Sequence, residues 1–278
     1  YKDIESEDRL IHYTIEGVHK ASDEAAAAAA ELLKSGKVAI VGSANSSVEE
    51  QFFYKAIAER SEAKVSLVSH HGDGDGLLQS EDRTPNLRGA LVTGLISELP
   101  SENLEALARD INSGAVKTIL AVNEDLTELG INKDVLAKAK AIYVGSHANR
   151  TSEVANIVLP SLMVFEKDGS FINQSFRIQR FKAAIPGPRG VQSDFMVLEK
   201  IAAALAGEKA TAITIDSVWE RMTATIDQLS DSLRWHSLPE EGVALDATAF
   251  LNLGFVETKN LKYDPVAFKE AHAALAEV

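Results

Sequence analysis

The sequence predicts an α/β protein built on a doubly wound, mainly parallel sheet. Compact runs of apolar, often β-branched residues recur between residues 37 and 160, at 38–42, 65–69, 117–122, 140–144 and 156–159. Segments of helix-forming composition separate most of these runs, and that alternation is typical of a parallel sheet with helices on both faces. The runs lack a regular polar alternation, which indicates strands buried on both faces.

The length of 278 residues is enough for one large α/β domain and a smaller appendage. We divide the chain into an N-terminal extension at 1–21, an α/β domain at 22–207 and a C-terminal extension at 208–278, which has a different texture and which we expect to wrap the domain or contact a partner. The first residue is Tyr1, and no charged and apolar leader follows it. We therefore expect a piece of a longer protein.

The first helices are predicted from their end residues. Ser22 is predicted to cap a helix at 22–34, because acidic residues and a run of alanines follow it and Gly36 comes just after its end. A second helix, at 48–60, follows the strand at 37–42, with Ser46 or Ser47 as its predicted cap. The connecting loop contains neither of the glycine patterns that cradle phosphates, so a cap without a ligand is the favoured interpretation.

Four further helices are predicted, at about 101–112, 131–138, 194–206 and 216–233. Thr151 or Ser152 is predicted to cap a short turn that leads to Ala155. The helix at 216–233 carries an apolar stripe at helical spacing, which we assign to packing rather than to a cofactor. The stripe consists of Trp219, Met222, Ile226 and Leu229.

Composition excludes several classes of function. The formal net charge of −13 disfavours binding to nucleic acid or to anionic lipid, since both require an excess of lysine and arginine. The absence of cysteine excludes disulfides, thiolate-bound iron–sulfur clusters and a cysteine nucleophile within these residues. No apolar run approaches the roughly 20 residues that span a bilayer, so we expect no direct membrane insertion.

Two local patterns invite a catalytic or metal-binding interpretation without supporting it. His70 and His71 precede two aspartates in a glycine-rich stretch, but adjacent side chains of an extended chain point apart and the spacing is not that of a calcium loop. A surface loop is the favoured interpretation. Serine and histidine occur, but no G-x-S-x-G elbow marks a nucleophile, and no H-E-x-x-H marks a zinc site.

Residues 153–181 follow the last predicted core strand and contain a turn at Lys167-Asp168-Gly169. Loops beyond the carboxyl ends of parallel strands are where α/β folds bind ligands. The segment resembles the molybdopterin oxidoreductase family, whose members read roughly A-[DN]-x-V-L-P…E-[KR]-[DE]-G-[TS]-[FY]-x-N-x-E-G-R-x-Q. The matching residues are Ala155, Asn156, Val158, Leu159, Pro160, Glu166, Lys167, Asp168, Gly169, Ser170, Phe171, Asn173, Arg177 and Gln179.

A second stretch resembles one particular branch of this family. Residues 84–90, TPNLRGA, are similar to the P-N-x-R-G-A stretch of the large iron–sulfur subunits of NADH-quinone oxidoreductase, which is respiratory complex I. The resemblance to the family covers about 37–206. It implies a scaffolding part of the peripheral arm, at the cytoplasmic side of the inner membrane, with other subunits of the respiratory complex as partners. It also implies that the iron–sulfur clusters lie in an N-terminal part outside this chain.

The same resemblance implies a vestigial molybdopterin cleft that contains Asn173, Arg177 and Gln179. Where the family pattern has Glu and then Gly before the arginine, this chain has Ser175 and Phe176. The exchange removes a charged acceptor and adds a large side chain where backbone can approach a ligand. We therefore expect no molybdopterin in this chain.

An alternative interpretation of the same residues is purely structural. Arg177, Gln179, Arg180 and Lys182 concentrate cations and amides that suit phosphate or pterin, since arginine binds phosphate in a bidentate manner. They equally suit exposed positions on an edge strand or hairpin, with Phe176 and Ile178 facing inward. Three function classes thus remain: a complex I scaffold, a fragment of a true molybdenum oxidoreductase such as a formate dehydrogenase relative, and a stand-alone nucleotide-binding domain.

Overall fold

A seven-stranded sheet forms the centre of the protein, whose computed structural model describes residues 4–75, 79–100 and 104–255. Its strands are β1 (Thr14–Ile15), β2 (Val18–His19), β3 (Val38–Ser43), β4 (Lys64–Val68), β5 (Thr118–Val122), β6 (Lys140–Gly145) and β7 (Ile157–Pro160). In space the order is β2-β1-β7-β6-β5-β3-β4. Neighbours from β7 to β4 pair in parallel, and β1 pairs antiparallel to β7. The predicted mainly parallel α/β class is confirmed.

Helices cover both faces of this sheet. They are α1 (Ser22–Leu33), α2 (Val48–Ser61), α3 (Leu87–Val92), α4 (Glu105–Asn112), α5 (Lys133–Leu136), α6 (Arg150–Val154), α7 (Asp194–Ala206) and α8 (Ile215–Thr223). Leu120 and Val122 of β5 face the core shared with α1, α2 and α7. Ile119 and Ala121 face a second core, which α4 and α5 complete. Successive residues of a strand point to opposite faces, so one continuous apolar run fills both cores.

The N-terminal segment extends the sheet. β1 and β2 form a hairpin on the outer side of β7, and Tyr13 is buried beside it. The Arg9 guanidinium forms a buried ion pair with Glu166 and donates a hydrogen bond of 2.9 Å to the Ser146 carbonyl. This segment therefore packs against the end of β6 and the loop that follows β7.

Two of the predicted helix caps are wrong. Ser22 is the first residue of α1, and its N-cap is Ala21, which makes no side-chain cap bond. Asn149, rather than Thr151 or Ser152, caps α6, because its amide oxygen accepts from the Ser152 N–H at 2.9 Å. The prediction for α2 is confirmed at Ser47, which forms a capping box with Glu50.

Three helix ranges need correction. α8 ends at Thr223 instead of 233, and the chain continues in turns that still bury Ile226 and Leu229. The stripe therefore packs on the core, as predicted, without being helical throughout. α5 is shorter than predicted, at Lys133–Leu136, and α4 begins at Glu105. The predicted start of α4 near residue 101 lies outside the described residues.

A small antiparallel sheet stands beside the main one. It contains β8 (Gly169–Ile172), β9 (Arg177–Phe181) and β10 (Val243–Ala244) in the order β10-β9-β8. Phe176 and Ile178 are buried, as the structural interpretation of this hairpin required. β9 is the middle strand of the three, however, because the C-terminal extension adds β10 to it. No helix in the described ranges is long and apolar enough to cross a membrane.

Candidate functional site

A cleft lies at the carboxyl edge of the main sheet. The chain runs outward from β3 to β4 and then returns to the other side of β3 as β5, so the order of strands reverses there. Ligands of open α/β sheets bind at such points. The cleft next to it has a volume of about 310 Å³, which is at the small end for ligand pockets. Its lining includes Asn45, Asn123, Tyr143, Ser146, His147, Asn149, Met163, Lys167 and Phe171.

A buried carboxylate stands at the strand reversal itself. Glu124 follows β5 and accepts a hydrogen bond of 2.5 Å from the Ser43 hydroxyl at the end of β3. Its other oxygen is 3.0 Å from Nε2 of His70, which follows β4. Burial raises the pKa of Glu124, and the bonds from Ser43 and His70 partly oppose that effect. One acidic side chain thus joins the ends of three strands.

A second buried ionic cluster forms the wall of the cleft. The Lys167 ammonium contacts Glu50 of α2 and lies 2.7 Å from Oδ2 of Asp194 in α7. The exposed fractions of these side chains are 9%, 2% and 1% for Lys167, Glu50 and Asp194. The cluster connects the loop before β8 to α2 and α7. Carboxylates of this chain thereby neutralise the positive charge of Lys167.

The TPNLRGA stretch contains a buried network of hydrogen bonds around Asn86. The Asn86 side chain donates to the Ser46 carbonyl at 2.7 Å and to Gln51 Oε1 at 3.0 Å, and it accepts from the Ile172 N–H at 2.8 Å. These bonds connect α3 to α2 and to β8. A Cβ on Gly89 would lie 2.3 Å from the Asn86 amide oxygen, so only glycine fits there. The motif thereby has a structural explanation.

Arg88 of the same stretch faces the C-terminal extension. Its guanidinium donates to Asp82 at 3.1 Å and lies over the ring of Phe255, 3.9 Å from the ring centre. Burial lowers the pKa of Arg88 to about 10, while Asp82 opposes the shift. The cation is therefore enclosed by groups of this chain.

The three residues predicted for the cofactor cleft lie together in the β8–β9 hairpin. The Asn173 carboxamide accepts from the backbone N–H groups of Ser175 and Arg177 at 2.9 and 3.1 Å, and donates to Gln179 at 3.2 Å. The Arg177 guanidinium donates to the Gly242 carbonyl at 2.9 Å. None of these three residues lines the carboxyl-edge cleft. Among the described residues of the hairpin, it is Phe171 that lines the cleft.

Phe176 occupies the position at which the family pattern has glycine. Its φ is +52°, in the left-handed region that favours glycine. Its ring stacks on Phe250 at 5.2 Å between centres and meets Phe255 edge-on at 6.1 Å. This turn therefore has a backbone conformation that glycine favours, while the Phe176 side chain anchors the C-terminal extension to the hairpin.

Sequence reasoning missed the residues that shape this edge. Glu50 and Asp194 lie in first helical turns, where acidic residues are ordinarily explained by the helix dipole. Glu124 follows the predicted strand at 117–122, and its position just after that apolar run was the available signal. The histidine-rich loop contributes His70 to Glu124, and the described residues contain no group of side chains that could hold a metal ion.

Comparisons with known proteins agree with the mainly parallel α/β fold. The profile of the family described as Molybdopterin oxidoreductase matches residues 18–204. The F420-dependent formate dehydrogenase 2 subunit alpha of Methanococcus maripaludis is 29% identical over 140 residues, 46% of this chain and 20% of that protein. The putative formate dehydrogenase YrhE of Bacillus subtilis is 29% identical over 106 residues, 36% of this chain and 11% of that protein.

A subunit of an NADH-ubiquinone oxidoreductase is similar over a shorter stretch. The mitochondrial NADH-ubiquinone oxidoreductase 78 kDa subunit of Neurospora crassa is 32% identical over 78 residues, 28% of this chain and 10% of that protein. The chain thus spans a fifth or less of the length of these curated relatives. The profile, in contrast, covers most of the chain, including the parallel sheet and the hairpin that carries Asn173. On this basis the chain belongs to the molybdopterin oxidoreductase family.

Proposed function

We propose that this chain is the molybdopterin oxidoreductase-like part of the large iron–sulfur subunit of an NADH-quinone oxidoreductase, and that it acts as a scaffold without holding molybdopterin. Its partners are then other subunits of that respiratory complex, at the cytoplasmic side of the inner membrane. The iron–sulfur clusters belong to a part of the subunit outside this chain. The TPNLRGA stretch and the similarity to the 78 kDa subunit support this assignment.

The main support for the proposed loss of molybdopterin binding is the charge of the carboxyl-edge cleft. Molybdopterin bears phosphate, and phosphate sites in proteins use unpaired cations, helix ends or glycine loops. Lys167 is the one lysine or arginine in the described cleft lining, and Glu50 and Asp194 neutralise it. Glu124 adds a buried carboxylate at the strand reversal. The described lining of this edge therefore offers an anionic pterin no free lysine or arginine.

The hairpin residues support the same proposal. Arg177 donates to carbonyl groups of the C-terminal extension, and Phe176 fills the turn that glycine leaves open in the family pattern. An anion that bound Nη1 of Arg177 would compete with the carbonyl groups of Glu241 and Gly242. Scaffolding requires neither a free Arg177 nor a glycine turn.

A second candidate is a cofactor-binding piece of a formate dehydrogenase-like molybdenum oxidoreductase. The observation that favours it is the extent of similarity, since the match to the Methanococcus subunit is 140 residues long and the match to the 78 kDa subunit is 78. Under this alternative the rest of the cofactor site lies on parts of the protein outside this chain.

One experiment separates the two candidates. The chain and its full-length parent are expressed in a host that makes the cofactor, and each is assayed for molybdenum and for pterin fluorescence after acid release. The scaffold proposal predicts no molybdenum and no pterin in the chain or in its full-length parent, although iron is expected in the parent. Stoichiometric pterin and molybdenum in the parent would overturn that proposal and establish the formate dehydrogenase-like alternative.

A further inference from the structure

The cluster of Lys167, Glu50 and Asp194 has an unbalanced count of charges. Two carboxylates share one ammonium, and all three side chains are at least nine-tenths buried. The ammonium balances one carboxylate, so full ionisation would leave one negative charge in the protein interior. An unbalanced buried charge is costly, and two carboxylates that close together do not readily both ionise.

Backbone donors fix the two carboxylates in place. Oε2 of Glu50 accepts from the Ser47 N–H at 2.9 Å, and Oδ1 of Asp194 accepts from the Leu162 N–H at 3.0 Å. In the described part of the chain, no second lysine or arginine bonds either carboxylate. The excess charge therefore cannot be relieved by another cation.

The other titratable groups near the cluster add no net charge to it. Tyr54 comes from α2 and Tyr13 from the N-terminal segment, and burial is the main cause that raises the pKa of each phenol. Glu166, next to Lys167 in the chain, is already paired with Arg9. The remaining means of balancing the charge is a proton shared by Glu50 and Asp194.

We propose that Glu50, Asp194 and Lys167 form a buried proton-binding site that takes up and releases one proton at the wall of the carboxyl-edge cleft. When the proton is bound, it is covalently attached to the Asp194 carboxyl group. The resulting O–H group donates a hydrogen bond to the Glu50 carboxylate. On release, the carboxylic O–H bond breaks and the proton passes to hydroxide or water in the cleft. Both carboxylates then remain on the Lys167 ammonium.

The position of Lys167 gives the site its exchange route. This side chain lines the cleft, so its ammonium group lies between the two carboxylates and the solvent in the cleft. Burial raises the pKa of Asp194 to about 8; Lys167 lowers it and Glu50 raises it. Burial also raises the pKa of Glu50, but the Lys167 charge and hydrogen bonds from Asp194, Lys167 and Ser47 outweigh it and hold that pKa below its ordinary value. The site does not depend on whether the chain is a scaffold or a cofactor-binding piece.

The test is carbon-13 NMR of the full chain labelled at the aspartate side-chain carboxyl, which leaves all glutamates silent. We expect one carboxyl resonance that titrates with a midpoint near pH 8. Asp194→Asn removes that resonance. The control Asp110→Asn alters an exposed ion pair with Lys64 and leaves the resonance in place.

A second variant serves if Asp194→Asn does not fold. Glu50→Gln removes the neighbouring negative charge, so the midpoint of the resonance falls by more than about one pH unit. Lys167→Met removes the cation and moves the midpoint upward. A spectrum in which no aspartate titrates above about pH 6, or a midpoint that Glu50→Gln leaves unchanged, overturns the proposal.

Discussion

Ile119 shows what a single side chain contributes at the centre of the sheet. It lies within β5, is fully buried and faces the core that α4 and α5 complete. Strands pair with β5 on both sides, so the backbone around Ile119 is held on each edge. A void left there has little opportunity to collapse.

Ile119→Ala is therefore expected to lower the free energy of unfolding by about 2–5 kcal/mol. Denaturant titration followed by circular dichroism measures the change. Val18→Ala is the matched control, because Val18 is also β-branched and in a strand but is 60% exposed. An Ile119→Ala variant as stable as this control would show that the residue is not packed as described.

Gly89 is the second residue whose role can be tested alone. A methyl group there would meet the Asn86 side chain, which holds α3 to α2 and β8 through three hydrogen bonds. We expect Gly89→Ala to destabilise the protein by about 1–3 kcal/mol, although alanine favours helices.

The control for this prediction is Gly254→Ala, since no atom lies within 4 Å of a Cβ built at Gly254. Thermal unfolding of both variants gives the comparison. If Gly89→Ala raised the melting temperature, helix propensity would outweigh the steric contact and the account of the TPNLRGA stretch would be wrong.

Among the elements, the hairpin of β8 and β9 connects the sheet to the C-terminal extension. The Leu245 N–H donates to the Phe176 carbonyl at 2.9 Å, and the ring of Phe176 stacks on Phe250. A left-handed conformation costs about 1–2 kcal/mol at a residue with a Cβ. The aromatic contacts therefore have to offset a backbone cost at this turn.

Phe176→Ala should release the segment at 245–255 from the hairpin while leaving the main sheet folded. Limited proteolysis with mass spectrometry is expected to show faster cleavage within that segment. Phe171→Ala is the control, because Phe171 stacks on Phe181 at 4.7 Å, a contact within the hairpin itself. Equal cleavage of the two variants would argue that Phe176 does not anchor the extension.

Elements also differ in how far they can be predicted. The five parallel strands were predictable because each is a short apolar run that fills both cores. α3 was missed because it has six residues and glycine near its middle, and its place depends on tertiary bonds from Asn86. β1 and β2 have two residues each, too few for a periodic pattern.

The candidate site was predictable only in part. Asn173, Arg177 and Gln179 stand in one local motif, so the resemblance brought them together, and their binding role stays a prediction. The ionic cluster joins Lys167 to Glu50, 117 residues away, and to Asp194, 27 residues away. No local pattern reveals that these charges meet, because the fold alone brings them into contact.

At the scale of the molecule, buried carboxyls make stability depend on pH. The pKa of Glu124 is raised, mainly by burial, so the folded protein holds this proton at pH values where the unfolded chain has lost it. Unfolding then releases a proton, and rising pH favours unfolding. The contribution is complete below the ordinary value of 4.5 and is lost as the pH rises through the folded pKa.

Glu124→Gln removes this titration while keeping an acceptor for Ser43. From about pH 4.5 upward, we expect the slope of the free energy of unfolding against pH to be more positive in the variant than in the parent protein, because the falling contribution of Glu124 is gone. Denaturant titrations at a series of pH values measure the slopes. Glu59→Gln, at an exposed ion pair, is the control and should keep the parent slope, whereas an unchanged slope in Glu124→Gln would contradict the assignment.

The hairpin of β1 and β2 also affects how the chain is made. Thr14 pairs with Val158, 144 residues later in the chain by subtraction of their numbers. At ribosomal rates of about 5–20 residues per second, the hairpin waits roughly 7–30 seconds for its partner strand to be synthesised. During that interval its apolar side chains have no sheet to join. The main sheet is therefore completed only after residue 160 has been synthesised, although β1 and β2 are the first of its strands to be made.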